Sequence, residues 1–318
     1  MKDNINILVV QIGKIGDMIL TTPLFGSLKR IFPDCCLSVL ASKSNSVITK
    51  NLNCIDRTYV YDKKTISTAS LLIKLRKKAF DYWIDPKDEL SSTSKILVNL
   101  CKPKLSIGFN FNKKVFDIDL RTFVKGEHRV DINLSPVNYL SDSDRLKTPI
   151  PHVDIPEKDS KIISERLNVV TAPFVLLNLS SGVSSRYLKL EKWIDLVDGI
   201  NPDKYVILTG INKDYDNIHA VISSVKRKNV FFVEANTIFE FAELIRKCNL
   251  LVTPDTSAVH LASCFNAPVV GIYHNVKWNI VKFGPLSVKK RIVVSAHENS
   301  LDSIESKELI EAVNELLP

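Results

Sequence analysis

The 318-residue chain is 45% apolar and 25% charged, the balance of a water-soluble globular protein long enough for two domains. No apolar run approaches the roughly 20 residues that span a bilayer, and the amino terminus enters a strand without the layout of a signal peptide, so a cytoplasmic location is expected. Six scattered cysteines, with no Cys-x-x-Cys and no Cys/His cluster at zinc spacing, exclude a disulfide scaffold and suggest no metal site.

The first half is expected to alternate strands and helices. A strand at 5–11 leads through Ile12-Gly-Lys-Ile-Gly-Asp17 into one helix from Asp17 to Ile31, stopped by Pro33. There follow a strand at 37–41, a helix at 44–50, a strand at 57–61, a helix at 67–79, a strand at 82–85, a helix at 91–101 and a strand at 104–109. Residues 109–127 read as a polar, basic, mobile loop, and 130–140 as one helix despite Pro136. Residues 141–156 hold three prolines and little periodicity, and make the best domain linker.

The alternation then restarts. Helices are expected at 158–168, 190–199 and 213–227, with strands at 174–179, 205–208 and 230–233. Thr237 and Glu240 form a capping box for a helix reaching Cys248. Leu250 to Thr253 is a buried strand, Asp255 or Thr256 caps a helix to about Phe265, and 268–273 is the next strand. A strand near 291–295 and a helix from 303 to 317 finish the chain. The expected fold is α/β: two Rossmann-like domains, 1–150 and 151–318, facing across a cleft.

Charge is unevenly placed. Residues 1–140 hold 22 Lys/Arg against 13 Asp/Glu, a net of +9, while the remainder nets −1. The first half therefore attracts anions such as nucleic acid, anionic lipid or a phosphorylated acceptor. Charge alone would support nucleic-acid binding, since no basic motif interleaved with aromatics is present.

The chemistry is expected at strand ends. Gly13-x-x-Gly16 is a glycine turn but not a full dinucleotide fingerprint, which disfavours an NAD-dependent oxidoreductase. Asp17, in the first helical turn, reads either as a favourable helix start or as a general base. Asn178 to Trp193 offers serine hydroxyls, a glycine and Arg186 for a diphosphate, or else is a flexible polar loop. Thr209, Gly210 and Glu234 end strands at the edge where ligands bind. The helix start at Thr256, Ser257 and Ala258 is a place for phosphate, with His260 on the same face as Thr256; an ordinary capped core helix reads equally well.

Ile7-Leu-Val-Val-Gln-Ile-Gly-Lys-Ile-Gly-Asp-Met-Ile-Leu-Thr-Thr-Pro23 resembles the opening of the lipopolysaccharide core heptosyltransferases, glycosyltransferase family nine. Asp255-Thr-Ser-Ala-Val-His260 resembles that family's Asp-Thr-Gly-x-x-His motif. The resemblance implies a GT-B fold and an inverting, metal-independent transfer with no cofactor. The donor it implies is a nucleotide-sugar, ADP-heptose in most members. Asp17 would be the base, with Gly13, Lys14 and Gly16 on the acceptor side. Ser180, Ser181, Arg186, Thr209, Gly210, Glu234, Asp255, Thr256, Ser257, Ala258 and His260 would hold the donor. The acceptor would be an anionic lipid-linked saccharide, with peripheral contact at the inner membrane and no nucleic acid. Two positions depart from the family: Arg186 stands where lysine is usual, and Ser257 where the motif has glycine. A UDP- or GDP-sugar donor and a non-catalytic nucleotide-sugar-binding module remain the alternatives.

Overall fold

The computed structural model describes residues 5–62, 65–89, 92–111, 113–141 and 150–317. The chain divides into two compact units, Met1–Asp154 and Ile155–Pro318. Within the expected linker, residues 142–149 lie outside the described ones. Residues beyond them are held on the first unit: the His152 N–H donates to Thr22 Oγ1 at 2.8 Å, and the His152 ring lies 2.6 Å from Asp154 Oδ1.

The first unit contains β1 (Asn6–Gln11), β2 (Cys36–Ser42), β3 (Arg57–Tyr61), β4 (Tyr82–Ile84), β5 (Leu105–Gly108) and β6 (Ile118–Asp119). Its helices are α1 (Ile15–Ile19), α2 (Thr22–Ile31), α3 (Ser46–Lys50), α4 (Thr65–Lys78), α5 (Ser92–Cys101), α6 (Arg129–Asn133) and α7 (Ser135–Leu140). All strand pairs are parallel, in the order β3-β2-β1-β4-β5-β6. Strand order therefore reverses between β1 and β4, which marks their carboxyl ends as the crevice for a ligand. Leu8, Val10 and Leu40 of the sheet pack with Leu71, Leu75, Leu97 and Val98 of α4 and α5.

Two helices expected to be continuous are broken, and both breaks have one cause. Pro23 has no N–H for the Ile19 carbonyl, and the Thr22 hydroxyl takes that acceptor instead at 2.7 Å. Pro136 likewise leaves the Ile132 carbonyl to the Ser135 hydroxyl, again at 2.7 Å. The segment read as a mobile loop is instead clipped in place. Asn110 Oδ1 accepts from the N–H groups of Val115 and Phe116, each at 2.8 Å, and its amide donates to the Phe116 carbonyl. The Asp117 carboxylate accepts from the Ser106 N–H and hydroxyl, which sets β6 beside β5.

The second unit contains β7 (Phe174–Asn178), β8 (Tyr205–Thr209), β9 (Val230–Phe232), β10 (Leu250–Pro254), β11 (Val269–Tyr273) and β12 (Lys290–Val294). Its helices are α8 (Glu157–Arg166), α9 (Leu190–Gly199), α10 (Tyr215–Ser224), α11 (Ile238–Lys247), α12 (Ser257–Phe265), α13 (Lys277–Phe283) and α14 (Ser306–Leu316). The order β12-β11-β10-β7-β8-β9 repeats the doubly wound pattern, with its reversal between β10 and β7. Every residue of β7 and β10 is buried, as apolar parallel strands covered on both faces must be. Helix α13 was not expected from the sequence, and the expected 213–227 helix begins as a tight turn at Asn212–Asp214 and ends at Ser224.

Candidate active site

In the first unit the reversal point carries Asp17. Lys14 is extended (φ −81°, ψ 170°), which lets its N–H donate to Asp17 Oδ2 at 3.0 Å from the helix's first turn. The other carboxylate oxygen takes no hydrogen bond from any described residue, and the side chain is half-buried. A Cβ on Gly13 would stand 2.8 Å from Asp17 Oδ2, so any larger residue there would displace the carboxylate. Lys14 is exposed, and the Gly16 carbonyl accepts from the Leu20 N–H at 3.0 Å, so both lie on the turn around the acid.

A buried polar network fixes this turn from behind. Thr21 Oγ1 donates to the Asp17 carbonyl at 2.7 Å and accepts from Gln11 Nε2 and Asn133 Nδ2. Asn45 Nδ2 lies 3.0 Å from the Gln11 carbonyl and 3.2 Å from that of Gly13, which also accepts from Ser42 Oγ. Sequence reading did not single out Gln11, Thr21, Ser42, Asn45 or Asn133 as parts of the site. It also passed over Asp85, just beyond the end of β4. Burial pushes its carboxyl up to about 6, against the opposing pull of hydrogen bonds from Ser94 and the Lys87 N–H.

In the second unit the reversal point joins the loop after β7 to the turn after β10. Arg186 donates to the Asp255 carbonyl at 2.7 Å, and its other terminal nitrogen lies 2.9 Å from Asp255 Oδ2. Asn279 Nδ2, from the unexpected α13, donates to the same carboxylate oxygen at 2.7 Å. The guanidinium is thus fixed by a buried acid yet remains about a third exposed, at 31%. Beside it Thr256 caps α12, its hydroxyl accepting from the Ala258 N–H, with Ser257 half-buried at the first helical position. His260 is buried one turn on, against the Phe283 ring.

The remaining expected donor residues divide into scaffold and a separate cluster. The Ser180 hydroxyl donates to Asp214 at 2.5 Å and accepts from the Ile211 N–H, so its proton is already committed. Ser181 Oγ accepts from the Val183 N–H, and its carbonyl from the Tyr187 hydroxyl. Gly210 lies so close that a Cβ would come within 2.5 Å of Ser180 Oγ, and Thr209 is tied to the Val233 carbonyl. Glu234 sits apart from Arg186, past the end of β9, accepting from Tyr215 Oη at 3.1 Å and Asn236 Nδ2 at 3.2 Å. Among the described residues no group of three or more His, Cys, Asp or Glu is arranged to hold a metal ion.

Comparison with known proteins bears on the family and the fold. The profile described as Glycosyltransferase family 9 (heptosyltransferase) matches residues 68–313. The chain is 22% identical over 332 residues to lipopolysaccharide heptosyltransferase 3 of Escherichia coli, covering 95% of this chain and 96% of that one. It superposes on the family 9 glycosyl transferase of Veillonella parvula with a TM-score of 0.84 at 18% identity, covering 99% of this chain and 98% of that one. Against E. coli ADP-heptose lps heptosyltransferase II the TM-score is 0.75 at 18% identity, with 98% of both chains covered. Both likenesses are of fold, and they bear out the GT-B type of α/β architecture.

Proposed function

The chain belongs to glycosyltransferase family 9, the heptosyltransferases, and on that premise we propose that it transfers heptose from ADP-heptose to an anionic, lipid-linked saccharide of the lipopolysaccharide core. The second unit takes the donor and the basic first unit takes the acceptor. Two of these relatives are named for lipopolysaccharide, and one of the two also for ADP-heptose.

The observation that carries the reading is the Arg186–Asp255–Asn279 cluster beside the start of α12. A fixed guanidinium and a helix amino terminus are the charge and dipole that a leaving diphosphate needs as negative charge builds up on it. The transfer needs no metal on this account. Ser180, Ser181 and Gly210 shape the loop that offers backbone to the diphosphate. Asp17 keeps one carboxylate oxygen open and acts as general base on the acceptor hydroxyl. That hydroxyl attacks the anomeric carbon on the face opposite the leaving group, so configuration inverts.

Thermal unfolding with ADP, UDP, GDP and NAD, each tested separately, checks the donor half of the proposal. Saturating ADP should add about 2.7 kcal/mol at a hundredfold excess over its dissociation constant, a shift of several degrees. A shift with UDP or GDP alone would replace the donor, and a shift with none would contradict the reading. Chelation by EDTA should leave turnover unchanged.

A further inference from the structure

We propose that the outer face of α4 and α5 docks the protein on an anionic lipid surface. The two helices lie side by side, with Leu71, Leu75, Leu97, Val98 and Cys101 turned into one core. Their opposite faces carry large aliphatic side chains in water: Ile73 is 57% exposed, Ile96 56% and Leu100 44%. Arg76 donates to the Leu100 carbonyl at 3.5 Å, which ties the two helices together, so their outward faces are neighbours. Ile96 and Leu100, four residues apart, share a face of α5, as Ile73 and Lys77 do on α4.

Cations ring the patch. Lys74, Arg76, Lys77, Lys95 and Lys102 are all exposed, and among the described residues none pairs with a carboxylate. Neither helix contains an Asp or Glu. Exposed aliphatics among unpaired cations, with no acid in either helix, suit a surface of phosphate headgroups over hydrocarbon better than a protein partner, which would need a matching acidic face. Charge complementarity therefore commits the occupant to anionic lipid. The inference deepens the lipid-linked acceptor proposed above, and its test uses no donor sugar, so the two can fail separately.

The full chain is sedimented with vesicles of phosphatidylcholine containing phosphatidylglycerol, and with vesicles of phosphatidylcholine alone. The expected result is partition onto the anionic vesicles, lost at high salt. Combined Lys74→Glu, Lys77→Glu and Lys95→Glu should weaken partition at least about tenfold. Combined Ile73→Ser, Ile96→Ser and Leu100→Ser should weaken it with the melting temperature unchanged. Lys226→Glu with Lys228→Glu, exposed on the second unit, should leave it intact. Unchanged partition of the charge-reversed protein would overturn the proposal. So would equal binding to neutral vesicles, or self-association of the free protein that the serine variant abolishes.

Discussion

Asp17 and Arg186 illustrate two ways of readying a charged group. Asp17 is aimed by a single backbone N–H and left half open, whereas Arg186 is held by a carbonyl and a buried carboxylate together. Arg186→Ala would remove the cation from a carboxylate that is only 8% exposed. It should cost about 1–3 kcal/mol of stability and weaken ADP binding at least about tenfold, read by thermal unfolding and calorimetry. Unaltered ADP affinity would argue against a diphosphate contact. Asp85 supplies a pH test. Its folded-state value near 6 lies above the unfolded value of about 3.9, so between those limits the native state keeps a proton that the unfolded chain has lost. Stability should therefore fall as pH rises from about 4 to 6, by on the order of 3 kcal/mol from this group, and Asp85→Asn should remove that slope. Urea unfolding of both proteins across that range checks it; parallel slopes would refute the assignment. Asp17, Arg186 and the capping Thr256 were legible because each follows a strand at a recognisable turn. Asp85, Asn133 and Asn279 were not, since only the folded chain shows what a lone polar residue faces.

At the level of elements, periodicity located the strands and most helices, and failed where side chains replace backbone partners. The Thr22-Pro23 and Ser135-Pro136 pairs end one helix and begin another without leaving a carbonyl unsatisfied. The apolar period runs across both breaks, so sequence reading joined the pieces. Ser135→Ala should cost about 1 kcal/mol by stranding the Ile132 carbonyl, measured by urea unfolding. Thr22→Val should cost more, because that hydroxyl also accepts from the His152 N–H. Equal costs would contradict this assignment of the two hydrogen bonds. Composition misread 109–127 for a related reason. A polar, basic stretch resembles a loose loop until Asn110 and Asp117 are seen folding its backbone onto β5. The Gly108 position adds to this: a Cβ there would meet the Phe116 ring at 2.6 Å, so the ring packs directly on the strand backbone. Missing α13 had a larger consequence, since that helix carries Asn279 to Asp255.

Across the whole molecule, two sheets of the same strand order sit in units of different charge. The first 140 residues net +9 and the rest net −1. Raising ionic strength should therefore raise the KM for an anionic acceptor several-fold more than that for the donor, because screening acts on exposed charge. Equal salt sensitivity would remove the charge argument for the acceptor. Among the described residues no helix is long and apolar enough to cross a membrane.

The central claim is transfer from ADP-heptose with Asp17 as base, and release of ADP in the presence of a heptose-free, lipid-linked core saccharide tests it most directly. The wild-type chain should release ADP only when that acceptor is present. Asp17→Asn should lower kcat by about 10²–10⁴-fold while leaving the KM for ADP-heptose within a few-fold. Turnover by Asp17→Asn at the wild-type rate would remove the base from the mechanism, and no release by the wild type would remove the donor.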